Sequence, residues 1–560
     1  MRRHANAKFP LLLALLIVGA CTEAPAPNAA DFVFTNGKVY TSNDAQPWAE
    51  AVAVAGTDIV FVGSSANAAA YVGDGTEEVD LAGKVMLPGI VSTHDHPLMT
   101  MAISSGGTLT FSLDADTMLE EARAYLEANP DGPFFTFGGA TENTVPITKE
   151  RIDAIISDRP FLMVASTGHG GWINSAGLEA LGVTADTPDP IDSFERDENG
   201  EPTGNIPSSA AVMYALVELG VLEREATMAR ADDVLGGLSA LGITAIVDPG
   251  QAPGTEELLF SVVEELENNG RLPIRIVAAA MTQRERHIAG ALEVLREYGP
   301  RYSSELFNVN VLKLHGGSPD GYTSALLEPY SDRPDYYGEV PYSPEAQAEA
   351  ALAAAEMGYD IHTHAIGDKN IRQALDTYQA VREAGYGDIR LTTGHTGLVH
   401  PDDLPRYVEL DVIANTYGLR NAEPNAGPLA ARFGPERLEY FQPMKSFLDL
   451  GVRLTASADW PTSPIEPFQQ ITVFMTRSTP DTDEHMPPLR ETLTLEQALR
   501  AYTIDAAYQL RLEDKIGSLE AGKRADLIVI DQDIFELTPD EIWDTTVVTT
   551  MMNGRVTHQR

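Results

Sequence analysis

Apolar positions recur along this chain with two different rhythms. Near the start, Phe32 to Tyr40 alternates apolar and polar residues around Asn36-Gly37, a hairpin dipeptide. Ala51 to Val62 alternates in the same way and reverses at Gly56-Thr57-Asp58. Near the end, Ala525 to Ile530 reads as an apolar strand after a turn punctuated by Gly517 and Gly522, and Val547 to Val556 brackets Asn553-Gly554. Period-two patterning at both ends predicts short antiparallel strands. The expectation is one small, discontinuous β-sandwich domain, residues 31–87 and 512–560, formed when the two ends meet.

Between them the rhythm changes to alternating strand and helix. Ser343-Pro344 reads as an N-cap followed by a first-turn proline, the alanine-rich run to Met357 as a helix stopped by Gly358, and Tyr359 to His364 as a strand. Lys369 to Ala384 and Glu436 to Leu450 read as helices, each followed by a strand, at Ile389 to Thr393 and Val452 to Ser457. Earlier segments fit the scheme: helices at Met118 to Glu127 and Ala229 to Leu241, strands at Phe161 to Ala165 and Ile243 to Val247. Such alternation implies parallel strands with helices outside. About eight units fit in residues 88–511, so the fold class is α/β, a (β/α)8 TIM barrel carrying the small β domain. No GxGxxG or GxxxxGK[ST] motif appears, so nothing points to a nucleotide fold.

The first residues read as an address. Arg2, Arg3 and Lys8 precede an apolar run, Leu11 to Val18, too short to span a bilayer as a mature helix. Val18-Gly19-Ala20-Cys21 resembles a bacterial lipoprotein cleavage box, which makes Cys21 the lipidation site, residues 1–21 a signal peptide and 22–30 a tether. Cys21 is the single cysteine of the chain, so no internal disulfide can form. The expected product is exported and held to the bacterial cell envelope by lipid alone. Across 560 residues, 39 Lys and Arg face 82 Asp and Glu, a formal charge of −43. That balance repels phosphate backbones and excludes nucleic acid as a partner.

The candidate chemistry lies at predicted strand ends. His94 and His96 follow Val85 to Val91 at a two-residue spacing that puts both imidazoles on one face. His362, His364 and His395 stand at other strand ends, and Asp459 follows Val452 to Ser457 directly. Barrel active sites collect at the carboxyl ends of strands. Imidazoles converging there with one carboxylate are the donor set of a catalytic zinc-type centre.

Five ordered motifs then carry a resemblance: VMLPGIVSTHDHP, HAIGD from His364, Gly394-His395, SADWP around Asp459, and IGSLEAGKRADLIVID. Together they resemble the amidohydrolase superfamily, in the family 3 branch typified by N-substituted formamide deformylase, over nearly the whole mature chain. The resemblance implies a metal-dependent hydrolase with His94, His96, His364, His395 and Asp459 as metal ligands. Lys313, in VLKLHGG, would be the fourth-strand lysine that becomes a carbamate and bridges two divalent ions. This sequence departs from the pattern in having Gly316-Gly317-Ser318 one position closer to the lysine than the expected Asp-Gly-Ser. His169, in TGHGGWINSAG, resembles a substrate-facing histidine. Trp172 and Tyr322 are candidates for the substrate pocket, with packing the alternative for Trp172. His362 is expected to support His364. The remaining histidines, His4, His287, His400, His485 and His558, read as surface or capping residues. A homodimer also accords with the resemblance.

The expected reaction follows from the ligands. Asp459 accepts a proton from the attacking water and later delivers it to the departing nitrogen, while His169 helps stabilise the oxyanion. The substrate class expected is an N-acyl, N-formyl or cyclic amide. Deamination of a heterocycle and hydrolysis of an ester or lactone are the alternative reactions, and a non-catalytic small-molecule-binding lipoprotein is the alternative of another class.

Overall fold

The computed structural model describes residues 29–560 other than 105, 111, 113, 133, 141–144, 167, 169, 188, 191–193, 252, 320, 420, 421, 423–425 and 483. The expectations for the signal segment, Cys21, His4 and His169 lie outside the described residues.

Eight parallel strands run in chain order: Ile90–Ser92, Ile243–Gln251, Arg275–Thr282, Phe307–Leu314, Asp360–His364, Leu391–Gly394, Val412–Tyr417 and Leu454–Ser457. Thr93 N donates to Ala456 O at 3.1 Å, joining the first strand to the eighth and closing the barrel. Alternation along each strand sorts the side chains. Val91, Ala245, Val247, Val277, Ala279 and Val311 pack with Ala506, Leu510 and Ile516 in one cluster. Their neighbours Ile246, Ile276 and Leu312 pack among the outer helices. Lys313, two residues beyond Val311, shares its face, as His362 and His364 share one.

The helices start and stop for local reasons. Pro344–Glu356 is capped by Ser343, whose side chain accepts from Ala346 N, and Gly358 follows with φ 85°. The expected long helix from Glu436 to Leu450 is instead two, Pro435–Leu438 and Met444–Leu450. Pro443 lies between them, lacks an N–H and disfavours helical backbone at Gln442 before it, which sits at φ 46°.

Between the first and second barrel strands the chain builds a separate five-stranded sheet, in the order Asn205–Ile206, Gly171–Ile173, Leu162–Val164, Phe135–Gly138, Gly107–Leu109. Leu109, Met118, Phe161, Met163 and Trp172 form its own core. The helix around Met118 and the strand around Phe161, expected as barrel units, therefore belong to this insertion. Patterning specifies an element's type, but the same pattern serves any sheet.

The two chain ends do meet. Leu527–Ile530 pairs antiparallel with Val85–Pro88, Leu527 opposite Pro88 and Ile530 opposite Val85. A six-stranded and a four-stranded sheet enclose a shared core of Phe34, Val52, Ile59, Met86, Leu527 and Met551. The hairpins at Gly56 and Asn553-Gly554 form. The one at Asn36-Gly37 does not: Phe32–Thr35 pairs with Ala51–Ala55, whereas Lys38–Tyr40 pairs with Val85–Pro88 in the other sheet. The dipeptide bends the chain, and apolar burial decides the partners. Among the described residues no helix is long and apolar enough to cross a membrane.

Candidate metal centre

At the carboxyl end of the barrel, His94 Nε2 and His96 Nε2 lie 3.8 and 3.7 Å from Asp459 Oδ1. The His395 ring stands 4.3 Å, centroid to centroid, from the rings of both His94 and His364. His94, His395 and Asp459 offer ligand atoms that all lie within 4.8 Å of one another. Two imidazole nitrogens and a carboxylate oxygen converging in this way fit a divalent metal with an open position.

Lys313 Nζ is 3.0 Å from His94 Nε2, and burial pushes its ammonium down to about 7. An appreciable neutral amine at ordinary pH is what carbamate formation requires. His364 Nε2 donates to Gly317 O at 2.8 Å, which fixes the proton there and the lone pair on Nδ1. His362, expected to support His364, instead places Nε2 2.9 Å from His94 Nδ1 and orients that ring. Burial, and then the Lys313 charge, hold both His94 and His362 well below the usual imidazole range, so both are neutral.

The backbone is strained here. Asp459 and His395 adopt φ 61° and 67°, conformations that persist only when neighbours hold them. Asp459 N donates to His94 O at 3.0 Å, and His395 N donates to Asn415 Oδ1 at 3.2 Å.

Three polar participants were not singled out from sequence. Asp95 is fully buried, and burial raises its carboxyl to about 7. Asp248 Oδ2 accepts from Leu98 N at 3.0 Å and seats the helix Pro97–Ile103. Asn415 holds His395 and also donates to Thr93 Oγ1 at 2.8 Å. A single acid or amide carries no spacing signal, whereas paired histidines do.

Two residues expected at the pocket lie elsewhere. Trp172 is opposite Met163 in the inserted sheet, and antiparallel pairing turns its ring into that sheet's core. Tyr322 packs on Tyr330, donates to Asp332 Oδ2 at 2.7 Å and lies under the Arg333 guanidinium, 3.5 Å from the ring centre. Of the outlying histidines, His400 caps its turn by accepting from Asp402 N at 3.2 Å, and His287 is buried at a helix start.

The centre forms the floor of a cavity of about 850 Å³, counting the part open to solvent. His94, His96, Lys313, His315, His364 and Asp459 face it from below. The rest of the lining is largely apolar: Met99 and Ile103 from the helix after His96, Met281 from the third strand, beside Lys313 of the fourth, Met213 from the helix Ser209–Glu218, and Phe137 and Val164 from the inserted sheet. The insertion thus supplies part of the cavity lining.

The amidohydrolase family model matches residues 77–558. The chain belongs to the amidohydrolase family. Protein LONG AFTER FAR-RED 3 of Arabidopsis thaliana is 27% identical over 547 residues, 95% of this chain and 92% of that protein. N-substituted formamide deformylase of Arthrobacter pascens is 26% identical over 556 residues, 95% and 98% of the two chains. Among solved structures, an uncharacterized metal-dependent hydrolase from Pyrococcus furiosus superposes with a TM-score of 0.70 at 24% identity, over 91% of this chain and 99% of that one, a likeness of fold. This amidohydrolase carries at the mouth of its barrel a His/His/Asp group that could hold a metal ion.

Proposed function

We propose that this amidohydrolase cleaves the C–N bond of a small amide, an N-acyl or N-formyl amine with an apolar substituent. The observation that carries the reading is the meeting of His94, His395 and Asp459 donor atoms within 4.8 Å, with His94 and Asp459 opening on a cavity otherwise lined largely by apolar side chains. The likeness to N-substituted formamide deformylase supports it. His94, His96, His364, His395 and Asp459 would hold a zinc-type ion, and Lys313, as a carbamate, would add its oxygens to the donor set if a second ion is bound. Such an ion supplies Lewis acidity and a water whose pKa falls from about 15.7 toward 7.

The remaining roles belong to the chain. Asp459 takes the proton from the attacking water and returns it to the amide nitrogen, which leaves poorly as an anion. Thr462 Oγ1 donates to Asp459 Oδ2 at 2.9 Å and leaves Oδ1 turned toward His94 and His96. His362 holds the His94 ring through Nδ1, keeping Nε2 for coordination. Met99, Met213, Met281 and Phe137 take the apolar substituent and exclude water; unbranched methionines adapt to irregular groups. His169 is assigned to the substrate carbonyl. From the N-terminal sequence we propose further that Cys21 is acylated and the enzyme faces outward from a bacterial envelope, acting on a small molecule.

Metal analysis with a panel of N-formyl, N-acetyl and N-acyl amino acid substrates tests the reading. Stoichiometric metal and release of free amine are expected, and Asp459→Asn should lower turnover by about 10²–10⁴-fold while metal is kept. Ester or heterocycle turnover without amide turnover would replace the substrate class. Metal-free protein that binds a small molecule and turns nothing over would replace the enzyme.

A further inference from the structure

The two loops that carry the first-strand histidines and Asp459 are tied along their backbones. Asp459 N donates to His94 O at 3.0 Å, and His96 N donates to Trp460 O at 2.8 Å. The amides on either side of Asp459 share a different acceptor: Ala458 N, at 3.3 Å, and Trp460 N, at 2.8 Å, both donate to Asp95 Oδ1. Oδ2 accepts from Ser92 Oγ, tying the carboxylate to the strand it follows. Asp95 is fully buried and is not among the residues lining the cavity.

A buried carboxylate is costly unless its oxygens are satisfied, and no step of the proposed hydrolysis uses this one. What it does grip is the backbone of Asp459, held at φ 61°. For a residue other than glycine that conformation is sparsely populated and needs outside support. Released from it, the Asp459 carboxylate would leave its place 3.8 and 3.7 Å from the two imidazoles.

We infer that Asp95 is a positioning residue: by accepting from the amides that flank Asp459, it sets where the proton-transfer carboxylate stands between His94 and His96. The inference rests on the hydrolase reading of the same centre. A reacting group misplaced by about 1 Å loses on the order of 10²-fold in rate.

Asp95→Ala should therefore lower kcat about 100-fold with KM within about threefold of wild type, and weaken zinc binding about 10- to 100-fold in chelator competition. Asp95→Asn keeps an oxygen for both amides and a donor for Ser92 Oγ, and should stay within about fivefold of wild type. With Co(II) in place of zinc, the visible absorption band should shift in the alanine variant and not in the asparagine variant. A wild-type kcat and spectrum in Asp95→Ala would overturn the inference, as would an asparagine variant as impaired as the alanine one. Should Asp95→Ala fail to fold, Ser92→Ala decides: a drop in kcat of about 5- to 10-fold with an unchanged circular dichroism spectrum supports the clamp, and an unchanged kcat overturns it. If wild type binds no metal and hydrolyses no amide, the functional reading falls, and hydrogen exchange at the amides of Ala458, Asp459 and Trp460 still reads the clamp. Faster exchange in Asp95→Ala but not in Asp95→Asn supports it, and equal exchange overturns it.

Discussion

A methyl group added at Gly394 would stand 2.5 Å from His362 Nε2 and 3.0 Å from His94 Nδ1. The glycine of the Gly394-His395 motif thus leaves room for the contact that orients the His94 imidazole, a proposed metal ligand. Gly394→Ala should lower metal affinity about 10- to 100-fold, measured by chelator competition, with little change in melting temperature. His94, His395 and Asp459, whose donor atoms the fold brings together, could be read from sequence because they follow predicted strands whose ends a barrel gathers at one rim, whereas Lys313 came only with the family resemblance. Asp95 escaped notice because alternation predicts it to face away from its neighbours, and it does; its importance lies in which backbone runs behind the loop. Trp172 and Tyr322 sit beside recognisable motifs, yet adjacency in sequence does not give direction.

At the scale of elements, helices and strands were legible and their allegiance was not. Pro443 divides one predicted helix, and Phe161 joins a sheet that no local pattern announces. That sheet has a testable consequence. Phe137→Ala and Met213→Ala remove apolar wall without touching the floor, so each should raise KM about 10-fold for amides with long apolar substituents, leaving kcat near wild type in steady-state assays. The helix Glu256–Asn268 makes a second prediction. Its first residue, Glu256, is buried with Oε2 accepting from Gly254 N at 2.7 Å, and burial raises its carboxyl from 4.5 to about 7. A carboxyl raised on folding is best tolerated protonated, so its contribution is intact below about pH 4.5, is lost as pH rises toward 7, and stays lost above. Glu256→Gln should therefore match wild type near pH 4 and exceed it at pH 8 by up to about 3 kcal/mol in chemical unfolding.

Across the whole molecule, one charged knot joins the barrel to the β sheets. Arg275, buried on the third barrel strand, reaches Asp526 through Nε at 2.9 Å and Nη2 at 3.0 Å, Glu305 at 3.1 Å, and Asn553 Oδ1 at 3.1 Å. Arg524 and Lys515 close on the same Glu305, at 2.6 and 2.7 Å. The recognisable run from Ile516 to Asp531 is therefore structural, supplying Arg524 and Asp526 to this knot. Asp526→Asn leaves Arg275 buried with its charge poorly matched and should cost about 3–5 kcal/mol in urea unfolding. Chiefly through the hydrogen bond from Arg524, the Glu305 carboxyl is held down at about 2. A carboxyl lowered on folding contributes fully above its unfolded value near 4.5 and loses that contribution as pH falls toward 2. Glu305→Gln should accordingly flatten the acid limb of the stability profile between those values.

Val85–Pro88 finds its antiparallel neighbour, Leu527–Ile530, only after the entire barrel and the inserted sheet have been spelled out. During synthesis every candidate ligand emerges before the strand that covers this early edge, and an uncovered edge is a template for pairing with other chains. A nascent polypeptide stalled after Asp459 would thus hold its complete set of chemistry in an unsealed body prone to clumping. The last few dozen residues act as the stitch that finishes the seam.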